Sequence, residues 1–189
     1  MLFRSGGWIL VANFVVESSS PPPDWTASAE TSYRGISNYH NNVMAITTSA
    51  MTELSAYLNF SQMRFHCSKQ QGRTFHVTTA ANSTGEAVVQ YFSGQTDELP
   101  YSCNSFQKME NDNSRLAVHC HRWGNDGSHH VGKWGHYNKK GEDRMHNHAA
   151  FIANEYHWYI VQGNWLCDDG RNTDFLPISP GDFWKIYLR

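Results

Sequence analysis

Met63-Arg64-Phe65-His66-Cys67, followed across the Gly72 turn by Phe75-His76-Val77-Thr78, decides the fold class. Met63, Phe65 and Cys67 alternate with Arg64 and His66. That period of two puts apolar side chains on one face of a strand and polar ones on the other. A second such run after a glycine turn reads as the returning arm of a hairpin. Outward from this hairpin, Trp8–Val16 has the β-branched and aromatic composition of a buried strand, and Glu86–Phe92, behind the turn at Asn82-Ser83-Thr84-Gly85, reads as a further strand. Tyr156–Val161 and Asp182–Leu188 read as closing strands. Thr47 or Thr48 can cap a short helix whose Met51, Leu54 and Leu58 recur at helical spacing. Ser18–Pro23, with three successive prolines, reads as an exposed loop, and Asp24–Asn42 as a long irregular segment.

Residues 94–154 differ in kind, being rich in Asn, Asp, Gly and His and poor in periodicity. A loop region of that length needs a staple, either disulfides through Cys103 and Cys120 or a bound ion. Neither an internal repeat nor a dividing linker is present, so residues 1–189 read as a single β-rich α+β domain with a loop-rich subregion at 94–154.

Composition narrows the function classes. A net charge of −2, with scattered Lys and Arg, leaves no electrostatic footprint for nucleic acid. No apolar run approaches the roughly 20 residues of a membrane span. The Trp8–Val16 run is not a signal peptide: it contains Asn13 and lacks a small-residue cleavage site. Cys67, Cys103, Cys120 and Cys167 are even in number, widely spaced and free of C-x-x-C pairs, which predicts disulfides, with all three pairings open. Asn59-Phe60-Ser61 and Asn82-Ser83-Thr84 are N-glycosylation sequons and point to the same secretory compartment. A disulfide-bonded domain opening in mid-strand reads as a fragment of a longer secreted chain.

Gly6-Gly7-Trp8-Ile9-Leu10-Val11-Ala12 resembles the Gly-Gly-Trp strand near the start of fibrinogen C-terminal-like and intelectin-like domains. Four further segments, Tyr33-Arg34-Gly35-Ile36-Ser37-Asn38-Tyr39-His40-Asn41-Asn42, Val131-Gly132-Lys133-Trp134-Gly135-His136-Tyr137, Asn147-His148-Ala149-Ala150-Phe151 and Gly181-Asp182-Phe183-Trp184-Lys185-Ile186-Tyr187, together resemble the uncharacterized skeletal organic matrix proteins of stony corals. The resemblance implies a fibrinogen C-terminal-like fold, secretion and a place in a calcified skeleton. It assigns no molecular activity. Fibrinogen-like domains hold calcium in an Asp-x-Asp-Asn loop shortly before a cysteine, and here Glu110-Asn111-Asp112-Asn113 precedes Cys120. The resemblance therefore implies calcium as a cofactor, held by Glu110, Asp112 and Asn113, with Glu in place of the first Asp. Calcium takes about six to eight oxygens. The competing reading is a solvated polar turn, which Asn and Asp favour on their own. The ligand pocket beside that loop would be lined by Trp134, Tyr137, Asn147 and His148.

The eleven histidines concentrate between His119 and His148. Neutral imidazole binds zinc, yet neither an H-E-x-x-H helix nor a defined third ligand is evident. A nucleophile elbow and a Walker loop are also absent. The resulting expectation is a secreted, non-enzymatic extracellular matrix component of a biomineral. It would bind glycans or matrix proteins with the help of calcium and associate with mineral-bearing matrix. Direct mineral templating would need long acidic runs, and the longest here is Asp168-Asp169. The alternative is a secreted metal-dependent hydrolase using the His119–His148 cluster.

Overall fold

The alternation read in the hairpin becomes structure directly. In the computed structural model, which describes residues 7–18, 26, 29–161, 163–172 and 174–189, strand β1 (Ile9–Val15) is followed by the short β2 (Ala29–Glu30), β3 (Val43–Ile46) and then β4 (Met63–Ser68). β4 buries Met63, Phe65 and Cys67 completely and turns Arg64 and His66 toward the opposite face. β5 (Thr74–Thr79) returns antiparallel, with Phe75 opposite Cys67 and Val77 opposite Phe65. The remaining strands are β6 (Phe106–Lys108), β7 (Asn147–Ile152), β8 (Tyr156–Val161), β9 (Asn164–Asp169) and β10 (Phe183–Leu188). Among the described residues they form a seven-stranded sheet in the order β2-β3-β1-β10-β4-β5-β6 and a three-stranded sheet β7-β8-β9. The chain is thus a single, mostly β domain with some helices. The Pro21–Pro23 loop lies outside the described residues.

Helix α1 (Thr48–Ser55) starts where the capping residue predicts, the Thr47 hydroxyl accepting from the Ala50 N–H at 3.1 Å. The strand expected at Glu86–Phe92 is instead part of helix α2 (Ser83–Phe92). Gly85, Val88, Val89 and Phe92 recur at three- and four-residue steps, so the apolar set that suits a buried strand also makes one helical stripe. The cap decides between them: the Asn82 side chain accepts from the Gly85 N–H. Gly85 itself is required by contact, because a Cβ there would meet the Ala80 carbonyl oxygen at 2.0 Å. Two single-turn helices, α3 (Arg115–Val118) and α4 (Asp143–His146), interrupt the loop-rich part of the chain.

The core is aromatic. Phe65 packs against Phe92, Trp134 and Trp158 with ring centroids 5.0–5.3 Å apart, and Trp123 stands edge-on to Trp134 at 4.8 Å. Four buried indoles also find an acceptor: Trp123 donates to the Leu116 carbonyl, Trp134 to the Ser105 hydroxyl, Trp158 to the Met145 carbonyl and Trp184 to the Leu166 carbonyl, whereas the buried Trp165 N–H has no acceptor among the described residues and its ring packs on Phe14 and Trp184.

The two sheets meet along a covalent and ionic seam. Cys67 on β4 is bonded to Cys167 on β9. Beside it Lys69 reaches Asp169 at 2.7 Å with both side chains 1% exposed, and Arg73 pairs with Asp168. Lys69 also donates to the Leu176 carbonyl, while Asp169 accepts from the Cys167 and Leu176 N–H groups. The pair is therefore fully bonded, the condition under which a buried ion pair is tolerated. Lys69→Ala strands the Asp169 carboxylate without its cation, and the expected cost is about 3 kcal/mol in urea unfolding. A loss below about 1 kcal/mol would contradict a dry seam.

Candidate functional site

The Glu110–Asn113 turn binds its own chain. One oxygen of Asp112 accepts from the His76 N–H at 2.7 Å, the other from the Ser114 N–H, and the Ser114 hydroxyl contacts both at 3.1 Å. Lys108 adds a cation at 3.3 Å from this fully buried carboxylate. The Asn113 side-chain oxygen accepts from the Thr74 N–H, and that of Asn111 meets the His76 ring. Glu110 points into solvent. The turn prolongs the edge of β5, and the side-chain oxygens of Asn111, Asp112 and Asn113 are engaged by the chain, leaving the exposed Glu110 carboxylate apart from them. This donor set does not fit a calcium ion, which needs those oxygens free to converge.

The expected ligand-lining group is split. Trp134 is fully buried in the core, as is Trp123, so neither can meet a ligand. Their place in a polar stretch of sequence suggested exposure; their indole N–H groups are instead satisfied inside. Asn147 is 8% exposed and holds the His148 ring through its side-chain oxygen at 2.6 Å. Tyr137 remains at the surface and His148 is half-buried.

These last two belong to a ladder of rings on the small sheet. Tyr137 stacks on His136 at 4.8 Å, His136 on Phe151 at 5.7 Å and Phe151 on His157 at 6.0 Å. His148 meets Phe151, His157 and Tyr159 edge-on, and Arg171 donates to the Tyr159 hydroxyl. The pairing of β7 with β8 shifts register between Asn147 and Phe151, and His148 has φ +63°. The irregular backbone aims the ring across the sheet rather than along its pleat. Burial keeps the imidazoles neutral, pushing His148 down to about 3 and His157 to about 4. His130 meets Phe151 edge-on at 5.6 Å, whereas His146 is buried against Phe14 and His119 and His121 pair with one another. Cys120 is bonded to Cys103 and is not a ligand. Among the described residues no group of three His, Cys, Asp or Glu side chains converges as a metal site.

A different concavity, of about 370 Å³, opens between the first half of α2 and the segment 96–101. Its lining is mixed, with Ser83, Thr84, Gln90, Thr96, Glu98, Tyr101 and Lys133 as the polar groups and Ala87, Leu99 and Pro100 as the apolar ones. No family model, no curated protein and no solved structure matches this chain. The walls are fixed from behind. Tyr101 bridges to Lys133, with the Trp134 N–H donating to the Pro100 carbonyl and the Ser102 N–H to Gly132. The Arg144 guanidinium donates to the Tyr91 and Thr96 carbonyls and pairs with Asp97. The Cys103–Cys120 disulfide and the bond from the Ser102 hydroxyl to the Cys120 carbonyl lock the floor. Tyr101 itself is 70% exposed, with the Lys133 ammonium 5.4 Å from its ring centre. Sequence reading missed this place because its walls come from three separate segments. The one local hint was a tyrosine directly after Pro100.

Proposed function

We propose that the chain is a secreted, non-enzymatic component of an extracellular matrix, in a calcified setting, that binds glycans or matrix proteins. The disulfide pairing carries this reading. All four cysteines are used, in Cys67–Cys167 and Cys103–Cys120, and no thiol is left free. A domain crosslinked through its buried seam and through its loop-rich lobe is suited to an oxidising compartment. The sequon residues Asn59 and Asn82 both stand on the surface, open to glycosylation. No helix among the described residues is long and apolar enough to cross a membrane. A fibrinogen C-terminal-like architecture is part of the proposal, supported by the Gly7-Trp8 lead into β1 and by the disulfide-stapled lobe. Calcium is not, since the 110–113 turn spends its oxygens on the chain.

Expression in a eukaryotic secretion host, with intact mass read after alkylation before and after reduction, tests the reading. The expected result is protein in the medium with no alkylated cysteine before reduction, four after it, and an added mass that glycosidase removes. Adding calcium or chelator is expected to leave the thermal midpoint unchanged. Four alkylated cysteines before reduction, or retention in the cytosol, would overturn the proposal.

A further inference from the structure

We infer that the groove between α2 and the 96–101 segment is a binding site for a neutral saccharide, with Tyr101 as its stacking platform. The inference rests on the extracellular binding role proposed above and supplies its ligand class and location. The lining decides the class. Ser83 offers a hydroxyl, Thr84 an acceptor oxygen whose proton goes to Asn82 or Asn104, Thr96 a hydroxyl proton beside the Glu98 N–H it accepts from, and Gln90 an amide that both donates and accepts, all set against apolar Leu99 and Pro100. A ligand dense in hydroxyls can answer such a wall bond for bond. An apolar ligand would strip water from the same groups and leave them unpaired, at a cost that grows with each group.

Charge narrows the choice further. The groove holds one cation, Lys133, and one anion, Glu98. An anionic ligand gains from the first what it loses to the second, so neutral polyhydroxyl compounds are favoured over phosphates or sulfated chains. The exposed Tyr101 gives an apolar face with a polar tip, which suits the C–H face and rim hydroxyls of a pyranose ring. Ligand pockets span about 300–1,000 Å³. At about 370 Å³ this one lies at the small end, sized for a mono- or disaccharide terminus.

Preorganisation separates the groove from an ordinary surface dimple. Arg144, 4% exposed in its side chain, clamps the Thr96 carbonyl and the Asp97 carboxylate, and the disulfide-backed bridge holds Tyr101 beside Lys133. The backbone that carries Thr96, Tyr101 and Lys133 is thus held before a ligand arrives, and binding does not have to order the loop. Asn82 directly precedes Ser83 and Thr84, so a glycan on that sequon would stand at the rim. Protein free of its own glycans is the form to test.

The experiment is an amide NMR titration of the full oxidised chain, produced without glycosylation, with the neutral disaccharides cellobiose, mannobiose and N,N′-diacetylchitobiose and with an anionic heparin disaccharide. At least one neutral sugar is expected to give saturable shifts centred on Thr84, Gln90, Glu98 and Lys133. Tyr101→Ala is expected to weaken that sugar about tenfold, Tyr101→Phe to retain it, and Gln90→Ala to weaken it severalfold, with thermal midpoints unchanged because both side chains face the groove. Overturning results are an absence of saturable shifts with every neutral sugar, shifts that cluster elsewhere, or binding confined to the heparin disaccharide and lost in high salt. Because the disulfides are verified in the same sample, such a failure would remove the saccharide site while leaving the secretory reading intact.

Discussion

Moving the protein from pH 7 to pH 5 is expected to remove about 6 kcal/mol of folding stability, enough to unfold a domain of ordinary marginal stability. His146 and His157 are buried and His148 half-buried, and desolvation lowers them from the usual 6.5 to about 3, 4 and 3 respectively. The unfolded chain takes up protons at these sites near pH 6.5, whereas the folded chain refuses them until far lower. Their contribution is therefore complete above pH 6.5 and falls as the pH drops toward 4, by about 2 kcal/mol for each histidine at pH 5. His66, stacked on His76 with ring centres 3.6 Å apart and also lowered to about 3, acts in the same direction. Its ring is partly open to solvent, so its share is smaller. Burial pushes the Asp168 and Asp169 carboxyls above the ordinary range, so they favour the fold as they protonate and blunt the loss at the acid end. Urea unfolding at pH 7, 6 and 5 measures the slope, and His148→Gln should flatten it by about a third. A change below about 1 kcal/mol over that range would show that the imidazoles protonate inside the fold.

What the sequence announced and what it concealed follow from the distance over which each signal acts. The β4–β5 hairpin was legible because alternation is local, and α1 because Thr47 and Met51 lie within one turn of each other. The α2 segment was ambiguous in period alone, Val88-Val89 and Tyr91-Phe92 satisfying strand and helix equally, and the decisive Asn82 cap sat outside the apolar run. β9 was hidden for another reason. Its Asp168 and Asp169 look like a solvated turn until Lys69 and Arg73, about a hundred positions earlier, are brought beside them. Trp134 was misread from its polar neighbours, since nothing near it announces the Ser105 acceptor that permits its burial. Tyr137 and His148 both meet the His136 ring, but the ladder joining them needs the β7 register shift, which no residue pattern displays. The groove is the extreme case: α2, the 96–101 segment and Lys133 come from three separate stretches, held together by the small disulfide and the Arg144 clamp behind them.

The same geometry ranks the two disulfides. Cys67–Cys167 closes a loop with a sequence separation of 100, Cys103–Cys120 one of 17. In the chain-entropy account, loops of such lengths restrict the unfolded state by about 5 and about 3 kcal/mol. Cys67→Ala with Cys167→Ala is therefore expected to lose about 5 kcal/mol in urea unfolding, and Cys103→Ala with Cys120→Ala about 3 kcal/mol. The first pair also leaves a gap between fully buried positions on two sheets, where β4 and β9 have little room to close. Equal losses, or the reverse order, would sink the ranking. The two variants should also part in their consequences. Losing the long crosslink weakens the seam and hence the whole fold, whereas losing the short one frees the Ser102–Cys120 floor behind Tyr101 while the sheets stay joined. Saccharide binding should therefore fail first in the variant that is the more stable of the two, an outcome that a purely stability-driven loss of binding could not produce.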